Sequence, residues 1–436
     1  MAESRPGTST GSVPSAGRGY QTSRSDSLAY VAIPMADAGD VVTAGGEIDE
    51  EPVWGASVTR PACQTVGTLG HVATLDLDAD VVSLTASLVD IPSESFREEE
   101  IADSVERALQ RLGHLKVRRH GNSIVASTSL GLSHRVVIAG HLDTVPVADN
   151  LPARLVLAAD VPDDEGPRTD RLYGLGSCDM KGGVAVALKC AYDIARPSRD
   201  VTYVFYEAEE VEDVHNGLGQ IASEHPDWLA GEFAVLMEPT AAGIEGGCQG
   251  TLRVRITTGG RRAHSARSWL GDNAIHRATD VLVRLRDYLP SRVEIDGMEY
   301  REGLSAVGIQ GGVAGNVIPD ECVVTINYRY APTRTPAEAV AHVEQVFGGF
   351  AVEVVDNSPG ALPGLAHPAA SAFVAAIGSE ARPKFGWTDV SRFTALNVPA
   401  VNYGPGDPSL AHTREEYVPV QQLIECEARM KAWLQT

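Results

Sequence analysis

Four times in this chain a short apolar stretch runs into a histidine or a carboxylate, and this recurrence constrains the fold more than any other feature. Arg135-Val136-Val137-Ile138 leads into Ala139-Gly140-His141-Leu142-Asp143, and residues 201–206 lead into Glu207-Ala208-Glu209-Glu210. Residues 233–237 lead into Glu238-Pro239-Thr240, and Ala400-Val401-Asn402-Tyr403 precedes a loop carrying His412. Runs of this length and apolarity read as buried parallel strands. Open α/β sheets place their chemistry beyond the carboxyl ends of such strands, so these acids are expected to face one shared crevice. The expected fold class is α/β, a catalytic domain with a mostly parallel sheet flanked by helices.

The pattern changes in the middle of the chain. Strands at 252–257, 304–310, 322–330 and 352–355, with helices at 273–289 and 336–347, make the order βαββαβ, the arrangement of a compact ferredoxin-like inserted domain. A chain of 436 residues is too long for one typical core, which agrees with such an insertion. Residues 74–249 and 358–436 then form the two parts of the catalytic domain, and 250–357 the insertion. Residues 1–73, rich in Ser, Gly, Thr, Ala and Pro, read as a disordered extension with no function of its own.

A net charge of -22 argues against nucleic acid and anionic membrane surfaces as partners. An anionic substrate would need a locally positive pocket. No run approaches the roughly 18 apolar residues of a membrane span, and the six cysteines show no CxxC pair, as expected of reduced thiols in a cytoplasmic protein.

His141 with a carboxylate two residues on suits a metal ligand oriented by an acid behind it. Asp179, in Gly174-Leu175-Gly176-Ser177-Cys178-Asp179-Met180-Lys181-Gly182-Gly183, stands near a helix start, where a capping aspartate is the plain alternative to a ligand. Cys178 could ligate through its thiolate or simply fill space. Gly-x-Ser-x-Gly occurs only as Gly7-Thr8-Ser9-Thr10-Gly11, in the Ser/Gly-rich extension and after no apolar strand, and HExxH is absent, which removes the commonest serine-hydrolase and single-zinc protease readings. Two imidazoles and three carboxylates suffice for two divalent metals if one carboxylate bridges. An acid is then free for proton transfer, and Glu209, if placed beside a metal-held water, could take its proton.

The motifs GHLDTVP, GLGSCDMKGG, EAEE, MEPT, RRAHSAR and AHTREEYV, in this order, resemble the M20 family of dizinc amidohydrolases and exopeptidases, from about residue 75 to the C-terminus. The resemblance implies two zinc ions per subunit, with cobalt able to replace them. His141 and Glu238 would bind one, Glu210 and His412 the other, and Asp179 would bridge. Asp143 would orient His141, and Glu209 would be the base. It further implies that the insertion is a lid that also forms a homodimer, with His264 reaching across to stabilise the oxyanion. Asn316 would contact substrate, and Arg329, Arg267 and Arg392 are the expected carboxylate binders. The implied substrate is a small anionic N-acyl amino acid, N-succinyl-LL-2,6-diaminopimelate, ahead of acetylornithine, other acyl amino acids or peptides. A noncatalytic metal-binding protein is the rival from another class, and Glu209 counts against it. Gln249 stands before Gly250 where many relatives have arginine.

Deleting residues 1–70 is expected to leave turnover unaltered, because that segment cannot build a core. Loss of bound metal or of solubility in the shortened protein would contradict this.

Overall fold

The computed structural model describes residues 74–162 and 166–436, so the expectation for residues 1–73 lies outside the described residues. In chain order the main strands are β1 (Lys116–His120), β2 (Ser123–Ser127), β3 (Arg135–His141), β4 (Asp200–Tyr206), β5 (Phe233–Leu236) and β6 (Ile244–Gly246). They are followed by β7 (Gly250–Gly259), β8 (Gly303–Gly311), β9 (Glu321–Tyr330), β10 (Val352–Ser358), β11 (Ala381–Pro383) and β12 (Ala400–Asn402). The helices that matter below are α1 (Val81–Val89), α2 (Glu99–Gln110), α3 (Lys181–Asp193), α4 (Gly217–Glu224), α5 (Ala274–Arg277), α6 (Thr279–Arg286), α7 (Pro336–Val346), α8 (Pro368–Ile377), α9 (Val390–Ala395) and α10 (Val420–Gln435).

Eight strands form the larger sheet in the order β1-β2-β4-β3-β5-β12-β6-β11. Successive residues of a strand point to opposite faces, and β3 obeys this closely. Val136 and Ile138 join the core beneath α1, α2, α3, α8 and α10, while Val137 and Ala139 join the core beneath α4 and α9. Each fully buried aliphatic side chain here contributes about 1.5–3 kcal/mol. Both faces are therefore covered, which explains why these strands read as continuous apolar runs rather than as alternating ones.

The sheet is mixed rather than mostly parallel. Pairings β3–β4, β3–β5, β12–β5 and β11–β6 are parallel, but β1–β2, β2–β4 and β12–β6 are antiparallel. The causes are local. Gly121, at φ +58°, turns β1 straight back into β2, and the connection from β5 to β6 is too short for a crossover, which needs about a dozen residues. The parallel centre survives. Register pairs His141 with Tyr206, Ala139 with Leu236, and Leu236 with Asn402, so four strands end side by side. The chain leaves β3 through α3 to β4 on one side and then crosses to β5 on the other. That reversal opens a crevice beyond the strand ends.

Close approach of α3 to β5 narrows the crevice. A Cβ on Gly183 would sit 2.1 Å from the Met237 carbonyl oxygen, and one on Gly404 would sit 2.4 Å from the same atom. Only glycine at both positions lets the start of α3 and the loop after β12 crowd the end of β5.

The second sheet has the order β8-β9-β7-β10, entirely antiparallel, and its own core. Leu252, Val254 and Ile256 of β7 pack with α5, α6 and α7, while Thr251, Arg253 and Arg255 alternate onto the other face. The helix expected at 273–289 is two helices, α5 and α6, meeting at Ala278. An additional hairpin, Arg292–Ile295 with Met298–Arg301, precedes β8. Beside it the buried Glu302 carboxylate accepts from Tyr328 Oη (2.9 Å), Ala331 N–H (3.0 Å) and Arg334 Nε (2.7 Å).

Burial works to raise the Glu302 pKa, but Arg334 and the other two donors outweigh it and hold the carboxyl below its ordinary 4.5. A depressed carboxylate stabilises the fold above the unfolded value and loses that contribution as pH falls through the folded one. Glu302→Gln is expected to lower unfolding stability by about 1.5–3 kcal/mol at pH 7, with the gap to wild type closing in urea titrations below pH 4.5. A gap that does not change with pH would contradict the assignment.

Candidate metal centre

The ends of β3, β4 and β5, the start of α3 and the loop after β12 bring His141, Asp179, Glu209, Glu210, Glu238 and His412 into one place. Donor atoms of His141, Glu209 and Glu210 lie within 4.8 Å of one another, and so do those of Asp179, Glu210 and His412. His141 Nε2 is 3.1 Å from Asp179 Oδ1. His412 Nε2 is 2.8 Å from Glu210 Oε1 and 3.6 Å from Asp179 Oδ2. Asp179 thus stands between the two imidazoles. Glu238 belongs to neither trio, although it is buried beside them and its charge acts on Asp179 and His141.

Asp143 supports both halves of the cluster. Its Oδ1 accepts the Glu209 N–H and its Oδ2 the Glu210 N–H, each at 3.0 Å, while Ser95 Oγ donates to Oδ2 at 2.8 Å. His141 Nδ1 lies nearer the Asp143 backbone oxygen (3.0 Å) than its Oδ1 (3.5 Å). The main chain therefore orients this ring at least as much as the carboxylate does. On the far side Glu416 Oε1 accepts the N–H groups of Cys178 (2.9 Å) and Asp179 (3.1 Å). The N-cap of α3 is Met180, with no side-chain cap, so the Asp179 carboxylate is not used up as a helix cap. Cys178 is buried, its thiol donates to the Asp407 backbone oxygen at 3.2 Å, and it belongs to neither donor trio.

The electrostatics are those of carboxylates crowded together. Burial, opposed by His141 and reinforced by Asp389, Glu238 and Glu210, pushes Glu209 well above the carboxylate range. Burial and the Asp179 charge push Glu238 up to about 7. Burial opposes a proton on His141, yet Asp143 and Asp179 prevail and raise it well above an ordinary imidazole. The Glu210 hydrogen bond raises His412 to about 9. Every one of these shifts has the direction expected where negative charge exceeds positive charge in a dry site. Divalent cations would remove that excess. The donors fit them: imidazole nitrogen and carboxylate oxygen are the ligand types of zinc, and Glu238 Oε1 is a buried acceptor with no hydrogen-bond partner among the described residues.

Residues expected to meet substrate fall in two groups. His264, Arg267 and Asn316 lie together in the segments that follow β7 and precede β9, where His264 pairs with Val317 across a two-stranded ladder and Ser265 N–H donates to the Asn316 oxygen at 2.9 Å. His264 Nδ1 accepts from Ala266 N–H at 3.1 Å. Arg329, on β9 opposite Thr251, is partly buried, which lowers its pKa. None of these four touches the cluster. Arg392 lines the crevice but is already engaged, ion-paired with buried Asp389 and with Asp213.

Some site residues escaped the sequence reading. The crevice, about 1010 Å³, is lined by Glu209, Glu210, Trp387 and Arg392 and, from β7, by Arg253 and Arg255. Strand alternation would have placed both arginines on one face, but no motif marks them. Lys384 is buried, 3.1 Å from Glu245 Oε2, and its charge acts on Glu238 and Asp179. A lone lysine carries no signal of this in sequence. Glu416 lies within a motif already noted, and only the fold shows that it holds the Asp179 main chain.

Residues 137–436 match the family described as peptidase family M20/M25/M40. Succinyl-diaminopimelate desuccinylase of Corynebacterium glutamicum is 47% identical over 371 residues, covering 83% of this chain and 97% of that protein. A Mycobacterium tuberculosis protein that also carries a succinyl-diaminopimelate desuccinylase name is 54% identical over 363 residues, covering 83% of this chain and 99% of its own. Among solved structures, a tripeptidase of Staphylococcus aureus superposes with a TM-score of 0.66 at 19% identity, over 83% of this chain and 98% of the other. With its family match extending over most of its length, the chain belongs to peptidase family M20/M25/M40.

Proposed function

We propose that this chain hydrolyses the amide of N-succinyl-LL-2,6-diaminopimelate, releasing succinate and LL-2,6-diaminopimelate on the route to lysine. The observation that carries the reading is near-end-to-end identity of 47–54% to relatives named for that reaction. The convergence of donor atoms from His141, Glu209 and Glu210, and from Asp179, Glu210 and His412, each trio within 4.8 Å, supports it. Among the described residues no helix is long and apolar enough to cross a membrane. The five cysteines among them are free and buried, which agrees with work in the cytoplasm.

His141 and Glu238 would hold one zinc ion, Glu210 and His412 the other, and Asp179 both, with cobalt able to take their place. When bound, the pair supplies Lewis-acid polarisation of the scissile carbonyl and a water made more acidic. Glu209 then does the proton work. It accepts the proton of the attacking water as oxygen bonds to the carbonyl carbon, and it returns that proton to the nitrogen as the C–N bond breaks. The burial and neighbouring acids that raise its pKa suit a group that must both take and give a proton. Asp143 keeps Glu209 and Glu210 in place through their N–H groups.

Residues 250–357 act as lid and dimerisation domain, inserted between catalytic parts 74–249 and 358–436. The βαββαβ order supports a ferredoxin-like unit of this kind. A homodimer would bring His264 of one chain to the oxyanion of the other, a task for a preorganised donor. Asn316, Arg329 and Arg267 approach with the lid, while Arg392 stands in the crevice wall. Arg253 and Arg255 join them as carboxylate binders, because their loose pairings with Asp356 (3.9 Å) and Glu353 (4.0 Å) leave donors free for a multiply anionic substrate.

Turnover of succinyl-diaminopimelate and of acetylornithine, compared on metal-quantified protein, tests the substrate. A large preference for the succinylated compound is expected, and a preference for acetylornithine would remove the reading. Glu209→Ala is expected to keep its metal and lose about 10²–10⁴-fold in kcat. Unchanged turnover would rule Glu209 out as the base.

A further inference from the structure

Away from the strand-end cluster, a second set of metal-type donors meets at the outer edge of the larger sheet. His120 closes β1, and Glu224 and His225 close α4; one donor atom from each lies within 4.8 Å of the others. None of the three side chains has a hydrogen-bond or ion-pair partner among the described residues. The His225 ring is stacked on Trp228, with centroids 4.2 Å apart and planes 8° apart, and His120 meets His225 edge-on at 5.5 Å. Stacking fixes the plane of the His225 ring, and an imidazole lone pair lies in that plane, so the ligand direction is set in advance. The trio also sits at the C-terminal end of α4, where unpaired carbonyls leave partial negative charge that favours a cation.

We propose that His120, Glu224 and His225 form a peripheral zinc site with three protein ligands and a fourth position for water. Two imidazoles and a carboxylate are a donor set that zinc accepts at about 2.0–2.2 Å. Tetrahedral bonds of that length put donors about 3.3 Å apart. The exposed Glu224 carboxylate can swing inward, and a turn of the His120 ring closes the remainder. Arg118, whose guanidinium lies 5.1 Å from the Trp228 ring centroid, adds positive charge nearby. The site is therefore weaker than the carboxylate-rich cluster. Its location has a consequence for that cluster. It ties β1 to α4, which flank the loop bearing Glu209 and Glu210: Asn122 N–H donates to Glu207 Oε1 at 2.7 Å, and α4 begins at Gly217.

Equilibrium dialysis of the full chain against zinc, with protein and metal both quantified, tests the proposal. Wild type is expected to hold one more zinc per chain than the His120→Ala/His225→Ala double variant. The same difference of one is expected between Asp179→Ala chains with and without the double substitution, which separates this site from the strand-end cluster. Glu224→Gln leaves both rings in place and is expected to weaken the additional equivalent. Equal zinc content with and without the two histidines in both backgrounds would overturn the site. A Glu224→Gln chain that binds the additional zinc as tightly as wild type would overturn it as a three-ligand site.

Discussion

A single buried carboxylate, that of Asp143, ties the two sides of the active crevice together. It receives the main-chain N–H groups of Glu209 and Glu210 on separate oxygens and lies 3.5 Å from the His141 ring. The donors face the ionised form and hold its pKa down against burial, with His141 the largest of them. Two acids that would otherwise repel one another and turn to water are thereby held beside a third and a fourth. Without Asp143 the loop after β4 would keep the contacts of Glu207 and Ala208 but lose those made by the Glu209 and Glu210 N–H groups.

The sheet provides the frame for that contact. Parallel register brings four strand ends level, and chain reversal at β3 leaves a gap into which their loops converge. Glycine at 183 and 404 lets helix and loop approach the Met237 main chain closely enough that Asp179 and Glu238 sense each other's charge. Such crowding costs free energy that divalent cations would return. Burial first, and the charge of neighbouring carboxylates second, raise the carboxyl pKa values of Glu209 and Glu238, and divalent cations would offset both.

Much of this was legible in the amino-acid order because the candidate ligands sit where a short-range signal announces them. A strand-length apolar run followed by an acid is local, and so is the glycine-rich turn before α3. What the sequence left hidden is non-local. Lys384 reaches Glu238 and Asp179 from a segment with no pattern of its own, Glu416 supports a main chain more than two hundred residues away, and Arg392 is engaged by Asp389 and Asp213 before any substrate arrives. The mixed sheet escaped for a related reason, since strand direction depends on which neighbour a strand finds. The break at Ala278 escaped because apolar periodicity runs straight through it.

In the proposed function His141, Asp179, Glu210, Glu238 and His412 jointly hold a pair of cations. Anomalous diffraction from zinc-loaded crystals, collected on either side of the zinc absorption edge, addresses it directly. Two peaks about 3.5–4 Å apart, with Asp179 reaching both and Glu238 drawn onto one, are the predicted result. A single peak, or two peaks at places remote from these five side chains, would contradict it.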